Sequence, residues 1–167
     1  MTTDVDARSN GKGALPQAMV GFAFLDGTWV VHNKRLEEGA DGQATWRDFV
    51  STASFTSLLN GLVSVEELRD ETGQPFGSAI RSFDQARGVW SDMWISARDG
   101  VMQTPVEGRF EENVAVFTAP EVYQGKAMLV RGIWCRITND EVTWEQASSV
   151  DDGQTWQDNW LMKFVRN

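Results

Sequence analysis

The chain has 167 residues, a formal net charge of −9, one histidine and one cysteine. This length predicts a single domain with a substantial core, and the acidic charge disfavours nucleic acids and anionic membrane surfaces as partners. Because Cys135 is the only cysteine, an internal disulfide is excluded, and we expect a reducing compartment, the cytoplasm.

The N-terminal residues carry no signal-peptide pattern, and no apolar run reaches the ~18 residues of a transmembrane helix. Residues 1–16 are polar, and we expect a flexible arm there, followed by a single domain over residues 17–167. Short helices are candidates at residues 16–22 and 57–60.

From Phe22 onward the chain reads as ten strand-like runs with Gly, Asp and Asn turns between them. The predicted strands cover residues 22–36, 45–56, 62–69, 76–83, 89–97, 101–110, 114–118, 127–137, 142–149 and 155–165. A meander of this size must hide its edge strands, and a closed barrel does so fully. We therefore predict an all-β fold, a closed antiparallel up-and-down barrel of about ten strands with a short N-terminal helical segment.

The last two predicted strands flank an Asp-Asp-Gly turn and alternate with period two, which is typical of a β-hairpin. If Asp152 lies at the apex, Trp144 pairs with Trp160 and Gln146 pairs with Asp158. One face of the hairpin then carries its large apolar residues and one amide. These are Trp144, Gln146, Trp160, Met162 and Phe164.

The turn itself matches a named motif, because Ser149-x-Asp151-x-Gly153-x-Thr155-Trp156 resembles the Asp box of sialidase-type β-propellers. There the Asp and Ser side chains hold the backbone of the turn and the Trp packs beneath it. A propeller needs several blades of roughly 40–50 residues, and this chain has one copy. The motif therefore predicts a well-ordered hairpin turn in another fold.

Three sequence blocks resemble a known superfamily. Gly27-Thr28-Trp29 is similar to the G-x-W of lipocalin-like (calycin) barrels, in which the Trp closes the barrel base. FLDGTWVVHNKRL, LLNGLVSVEEL and WEQASSVDDGQTWQDNWLMKF, taken in this order, resemble a group of small bacterial lipocalin-like proteins that has no activity in common. The resemblance spans most of residues 22–165 and implies a ten-stranded calycin barrel with a central cavity.

Nitrobindins, another calycin branch, hold haem through a histidine late in the chain. The histidine of this sequence, His32, falls in the first predicted strand, so a haem site of that kind is not expected. One His, one Cys and scattered carboxylates form no metal-binding spacing. We therefore expect no cofactor and no metal.

His32 is a candidate general acid/base because histidine is the residue type whose side chain normally titrates near neutrality. It lies three residues beyond Trp29, so in a regular strand it faces away from Trp29. If Trp29 points inward, His32 points outward, where it would be a surface or interface histidine.

Three arginines, Arg35, Arg81 and Arg131, fall within apolar strand contexts. A buried charge is costly unless it is paired, and Glu66 and Asp92 are candidate partners, as are Glu67 and Glu145. Functionally, an inward arginine could bind a ligand carboxylate or phenolate. The alternative is a structural ion pair or an exposed charge.

The aromatic content points to a ligand cavity, since eight Trp exceed what a core of this size needs. An apolar pocket uses aromatic side chains with a few polar groups. The candidate ligand-binding residues besides the arginines are Trp46, Trp94, Trp144, Trp160, Asn33 and Gln146. The alternative is that the Trp side chains form the core.

We predict that the protein binds a small hydrophobic or aromatic molecule inside the barrel. The alternative is a cofactor-independent lyase, isomerase, cyclase or hydratase, for which calycin phenolic acid decarboxylases and allene oxide cyclases look like precedents. His32 or Glu66 would then be the acid/base, and an arginine would stabilise the developing anion. A purely structural protein is a third possibility.

Several strands carry apolar residues on both faces, so we also expect a homodimer that covers the outer ones.

Overall fold

The computed structural model describes residues 21–167, so the predicted arm and residues 16–20 of the first candidate helix lie outside the described residues. Ten strands make up the fold, together with short 3₁₀ turns at Phe22–Leu25 and Leu59–Gly61. The strands are β1 (Gly27–Glu38), β2 (Ala44–Leu58), β3 (Val63–Arg69), β4 (Pro75–Asp84), β5 (Val89–Ser96), β6 (Val106–Glu111), β7 (Val114–Tyr123), β8 (Lys126–Cys135), β9 (Glu141–Ser149) and β10 (Gln157–Arg166). Within residues 21–167, no helix has the length and apolar character needed to cross a membrane.

The strands close into an antiparallel barrel in which each strand pairs with its neighbours in the chain and β10 pairs with β1. The predicted fold class is confirmed. Closure gives every strand two neighbours and so hides the edges that an open meander would expose.

Strand alternation sets the inner and outer faces of the barrel. Every second residue of β1 is buried from Trp29 to Asn33, which includes Val31. His32 and Lys34, at the alternate positions, are exposed. Because successive side chains of a strand point to opposite faces, the buried set faces the interior.

One end of the barrel, which we call the base, is filled by aromatic and aliphatic side chains. Phe22 and Leu25 of the first 3₁₀ turn are fully buried there, and Trp29 is 1% exposed. The Trp29 indole N–H donates to the Leu25 carbonyl at 2.6 Å. The Arg166 guanidinium covers the Trp29 ring at 4.1 Å and donates to the Phe24 carbonyl at 2.8 Å. These contacts fix the 3₁₀ turn across the base, so β1 begins at Gly27 and not at residue 22 as predicted.

The wall is less regular around β6. This strand begins at Val106 and not at residue 101, and it pairs with β5 over three residues only, from Trp90 to Asp92. On its other side β6 pairs with β7 only as far as Phe117. Pro120 therefore fits into the extended end of β7, since no β6 ladder bond is lost there.

The register of the C-terminal hairpin differs from the prediction. Trp160 pairs with Gln146 and Met162 pairs with Trp144, because the register shifts at a bulge between Asp158 and Trp160. The predicted pairs were therefore wrong, although the alternation places the predicted residues on the inner face as expected.

The turn before β10 has the hydrogen bonding that its motif predicts. The Asp151 carboxylate accepts from the Thr155 backbone N–H at 2.9 Å and the Thr155 hydroxyl at 2.7 Å, and the Ser149 hydroxyl donates to it at 2.7 Å. These bonds, led by the Thr155 N–H, lower the Asp151 pKa to about 2. The Trp156 indole N–H donates to the Gly153 carbonyl at 3.1 Å, which closes the turn.

Candidate functional site

We call the interior of the barrel above the base the lumen. Small residues on three different strands occupy inward positions there. These are Ser51, Ala53, Gly77, Ala79 and Gly132. A barrel of ten strands is wider than the eight-stranded barrels that side chains just fill. Small inward residues in such a barrel leave room for bulky side chains of neighbouring strands to lie along the wall.

Two tryptophans lie flat against opposite sides of the lumen because glycines beneath them leave room for their rings. A Cβ added to Gly77 would overlap the indole ring of Trp94. A Cβ added to Gly132 would lie 3.0 Å from the indole nitrogen of Trp144. Glycine within a strand often marks such a close approach, and this is the signal that would have identified both positions from the sequence.

A third tryptophan, Trp160, extends the Trp144 side of the lumen toward the open end, with the two ring centroids 5.6 Å apart and the rings nearly perpendicular. Although Trp94, Trp144 and Trp160 point into the barrel, all three remain partly exposed. Solvent must reach these rings through the lumen, since the wall covers their other side. The lumen is therefore open and lined by aromatic surface.

Asn33 fixes the orientation of Trp160. It is 3% exposed, and its side-chain oxygen accepts from the Trp160 indole N–H at 3.1 Å. Its amide nitrogen donates to the Ser51 hydroxyl at 2.8 Å and to the Val31 carbonyl at 3.1 Å. With its polar atoms already engaged, Asn33 positions an aromatic ring and leaves hydrogen bonding to a ligand to other residues.

Gln146 is the inner residue paired with Trp160 across β9 and β10, and it is half-buried. Within residues 21–167 its side-chain amide forms no hydrogen bond. An amide in this state presents both a donor and an acceptor to the lumen.

Arg35 lies at the open end of the lumen, where its guanidinium stacks on the Trp160 ring at 4.5 Å. It is exposed and, among the described residues, forms no salt bridge. Arg47, its partner across β1 and β2, is instead paired with Glu37 at 3.2 Å and covers the Phe49 ring. Arg35 is thus a cation at the edge of the lumen with no neutralising carboxylate within residues 21–167.

Where the lumen meets the base, three charged side chains form what we call the charged cluster: Glu66, Arg81 and Asp92. Arg81 Nη2 lies 2.6 Å from Glu66 Oε2, and Arg81 Nε lies 2.9 Å from Asp92 Oδ2. The guanidinium also stacks on the rings of Phe22 at 4.9 Å and Trp134 at 5.0 Å. Of the four carboxylates that the sequence offered as partners, Glu66 and Asp92 contact Arg81, because the hairpins of β3, β4 and β5 bring them together. The other two pair elsewhere, Glu67 with Arg69 and Glu145 with Arg136.

The three side chains of the charged cluster differ in how deeply they are buried. Glu66 and Arg81 have side chains only 3% and 4% exposed, whereas Asp92 is 22% exposed. Burial raises the pKa of Glu66 and outweighs the opposing effect of Arg81, so this carboxyl keeps its proton to higher pH than usual. Burial alone would lower the pKa of Arg81, but Asp92 and Glu66 together raise it, so Arg81 stays charged. Asp92 is the member of the charged cluster that the lumen reaches.

Three predicted site residues lie outside the lumen. His32 is exposed on the outer face of β1, and Trp46 is 40% exposed on the outer face of β2, with the Lys34 ammonium 5.7 Å from its ring. Arg131 stacks on Trp156 of the β9–β10 turn at 4.3 Å, on the strand face opposite to Gly132. The structure does not bring these three residues to the lumen.

A separate depression of about 260 Å³ lies over β6 and β7. It is lined by Gly108, Arg109, Glu111, Val114 and Val116. None of the lumen tryptophans borders it, and we assign it no function.

Within residues 21–167, no three His, Cys, Asp or Glu side chains are grouped so that they could hold a metal ion. Comparison with protein-family models gives no match, and comparison with curated proteins gives none either. The structure itself defines the class of protein, a closed ten-stranded antiparallel barrel with aromatic, solvent-reachable side chains in its lumen above a charged cluster.

Proposed function

We propose that the protein binds a small hydrophobic or aromatic molecule in the lumen. The observation that supports this most directly is the partial exposure of three inward indole rings, those of Trp94, Trp144 and Trp160. Apolar surface that solvent reaches inside a rigid barrel gains free energy when a ligand displaces the water. Gln146 supplies a hydrogen bond that orients the ligand.

We also propose that the barrel is lipocalin-like. Support comes from the Trp of the G-x-W segment, Trp29, which is buried at the closed base beneath Arg166. The closed ten-stranded topology fits the same proposal.

Titration with anilinonaphthalene sulfonate, an aromatic probe that fluoresces in apolar sites, tests the binding proposal. We expect saturable binding and about fivefold weaker affinity for Trp144→Leu, because an aromatic contact contributes roughly 1 kcal/mol beyond its buried area. Trp46→Leu is the matched control, since it removes an indole from the outer face of the barrel. Equal affinities for both variants and the unmodified protein would place the probe elsewhere.

Gly77→Ala tests the same site without removing an aromatic group. The added methyl group must displace the Trp94 ring toward the lumen, so the probe should bind more weakly. Unchanged affinity in a folded Gly77→Ala variant would exclude Trp94 from the binding surface.

The raised pKa of Glu66 favours a second candidate function, a cofactor-independent enzyme that moves protons within the barrel. A carboxyl whose pKa is raised by burial, beside a fixed guanidinium, combines a proton donor with a group that stabilises an anion. In such an enzyme the Asp92 carboxylate would accept the proton that leaves the α-carbon of the bound molecule, and the Glu66 carboxyl would donate a proton to its carbonyl oxygen. Arg81, which contacts both carboxyls, would hold them in place.

Solvent deuterium exchange into the α-carbon of small aromatic ketones, followed by NMR, tests this second candidate. Glu66→Gln keeps the shape of the side chain but has no acidic proton. Exchange that requires Glu66 supports the enzyme; equal exchange in both proteins, or none in either, leaves binding as the function.

We further propose that the protein is a homodimer in the cytoplasm. Support comes from large apolar side chains exposed outside the lumen, including Val50 at 44% and Val122 at 70%. The acidic charge and the single, buried, unbridged cysteine fit a reducing compartment. Sedimentation equilibrium at micromolar concentration should give twice the chain mass, and a clean monomer would contradict the dimer.

A further inference from the structure

The two ends of the lumen carry opposite charge. Arg35 at the open end is a cation without a carboxylate partner among the described residues. Asp92 at the inner end is a carboxylate that the lumen reaches. Between them lie the aromatic rings of Trp94 and Trp144, which have no charge of their own.

Arg35 is suited to bind an anion. Its guanidinium is held in place by stacking on Trp160, which the Asn33 network fixes in turn. Stacking on one face of the guanidinium leaves its N–H edge free to form paired hydrogen bonds with a carboxylate. The neighbouring Arg47 is already neutralised by Glu37, so Arg35 is the free cation of the pair.

Asp92 is suited to accept a hydrogen bond from a neutral donor. Its Oδ2 receives the Arg81 Nε–H, and within residues 21–167 its Oδ1 has no donor. The Arg81 guanidinium, 2.9 Å from Asp92 Oδ2, offsets the Asp92 charge, so an O–H donor fits Asp92 better than a full cation would.

We infer that the lumen binds an aromatic acid in one orientation, with its carboxylate on Arg35, its ring between Trp94 and Trp144, and a hydroxyl at the far end donating to Asp92. This inference rests on the proposed function and names the ligand class. The reverse orientation would place the ligand carboxylate against Asp92, where like charges repel in a partly buried site.

The test uses calorimetric titration with para-hydroxyphenylacetate, para-hydroxyphenylpropionate and hydroxybiphenyl carboxylate, whose polar ends lie at increasing separation. For the acid of best-fitting length, the methyl ester should bind about tenfold more weakly, because a hydrogen bond to a charged group is lost. The analogue without the hydroxyl should bind about tenfold more weakly for the same reason at Asp92.

Two variants assign each preference to one residue. Arg35→Gln should abolish the preference for the acid over the ester and keep the preference for the hydroxyl; Asp92→Asn should do the reverse. Arg47→Gln is the matched control at the open end and should keep both preferences.

The outcomes separate the inference from the function on which it rests. If acids, esters and unsubstituted analogues bind equally well in the lumen, the protein binds aromatic molecules and the orientation is wrong. If Arg47→Gln has the effect expected of Arg35→Gln, the anion site is wrongly assigned. If none of these probes nor anilinonaphthalene sulfonate binds, the proposed function itself fails.

Discussion

The base and the lumen are built by the same ten strands, yet one is filled and the other is open. At the base, three aromatic side chains are at most 2% exposed and pack ring against ring: Phe22, Trp134 and Phe164. The ring centroids of Trp134 and Phe164 lie 5.4 Å apart. In the lumen, Trp94 and Trp144 lie flat against the glycines of neighbouring strands and stay partly exposed. This difference in side-chain packing arises from the glycines of the lumen wall, Gly77 and Gly132, and not from the geometry of the strands.

This comparison divides the aromatic residues into two functions. Rings at the base exchange water for protein contacts when the chain folds, so they stabilise the fold. Rings in the lumen keep part of their surface wet in the folded protein, and that surface is available to a ligand. A mutation at the base should therefore lower stability and largely spare ligand binding, and a mutation in the lumen should do the reverse.

The largest expected effect is at the base. Phe22→Ala should lower the free energy of unfolding by about 3–5 kcal/mol, since it opens a cavity between Trp90, Phe110 and Trp134. Trp144→Ala should cost clearly less, because the Trp144 ring is partly exposed before the change. Urea denaturation monitored by circular dichroism measures both values, and equal losses would show that the lumen is as tightly packed as the base.

The charged cluster lies at the boundary between the two regions and should show the next largest effect. Arg81→Leu leaves two buried or half-buried carboxyls without their cation and should cost about 3 kcal/mol. Glu66→Gln should cost far less, because the amide resembles the protonated carboxyl that burial favours.

The pH dependence of the charged cluster supplies an independent check. The folded-state pKa of Glu66 is raised above its unfolded value of about 4.5, so its contribution to stability is fully present below that pH. It declines as pH rises through the folded-state pKa. Glu66→Gln should remove this decline from the urea midpoint, and an unchanged pH profile would contradict the assignment.

Much of the fold could be predicted from the sequence because local patterns determine it. Period-two alternation and Gly-containing turns located all ten strands. The alternation of side chains along β1 placed His32 on the face opposite to Trp29. The same alternation along β3, β4 and β5, which short turns join, places Glu66, Arg81 and Asp92 on one face. Such features need only neighbouring residues and a regular strand.

The lumen could not be predicted in this way because it depends on residues far apart in the chain. Glycine within a strand marks Gly77 and Gly132 as positions of close approach, but only the closure of the barrel brings them and Ser51 together around its interior. Local irregularities also escaped the sequence pattern. The bulge beside Asn159 moves the hairpin register, and the 3₁₀ turn at Phe22–Leu25 replaces a predicted strand end.

The smallest expected effect concerns the turn between β9 and β10, which lies beside neither the base packing nor the lumen rings. Asp151 has a pKa of about 2 in the folded protein against an ordinary value of 3.8, so the stability it contributes is present above pH 3.8. That contribution is lost as pH falls toward 2, when the carboxylate is protonated and its bonds to Thr155 weaken.

Asp151→Asn should therefore lower the thermal midpoint modestly at neutral pH and reduce its fall between pH 4 and pH 2. Asp152→Asn is the matched control, because Asp152 has a positive φ of 56° that asparagine tolerates, and it should leave the acid profile unchanged. If Asp151→Asn melts as the unmodified protein does at every pH, the turn holds its shape through its backbone alone. The Asp-box side chains would then add nothing to the hairpin that carries Trp144 and Trp160 into the lumen.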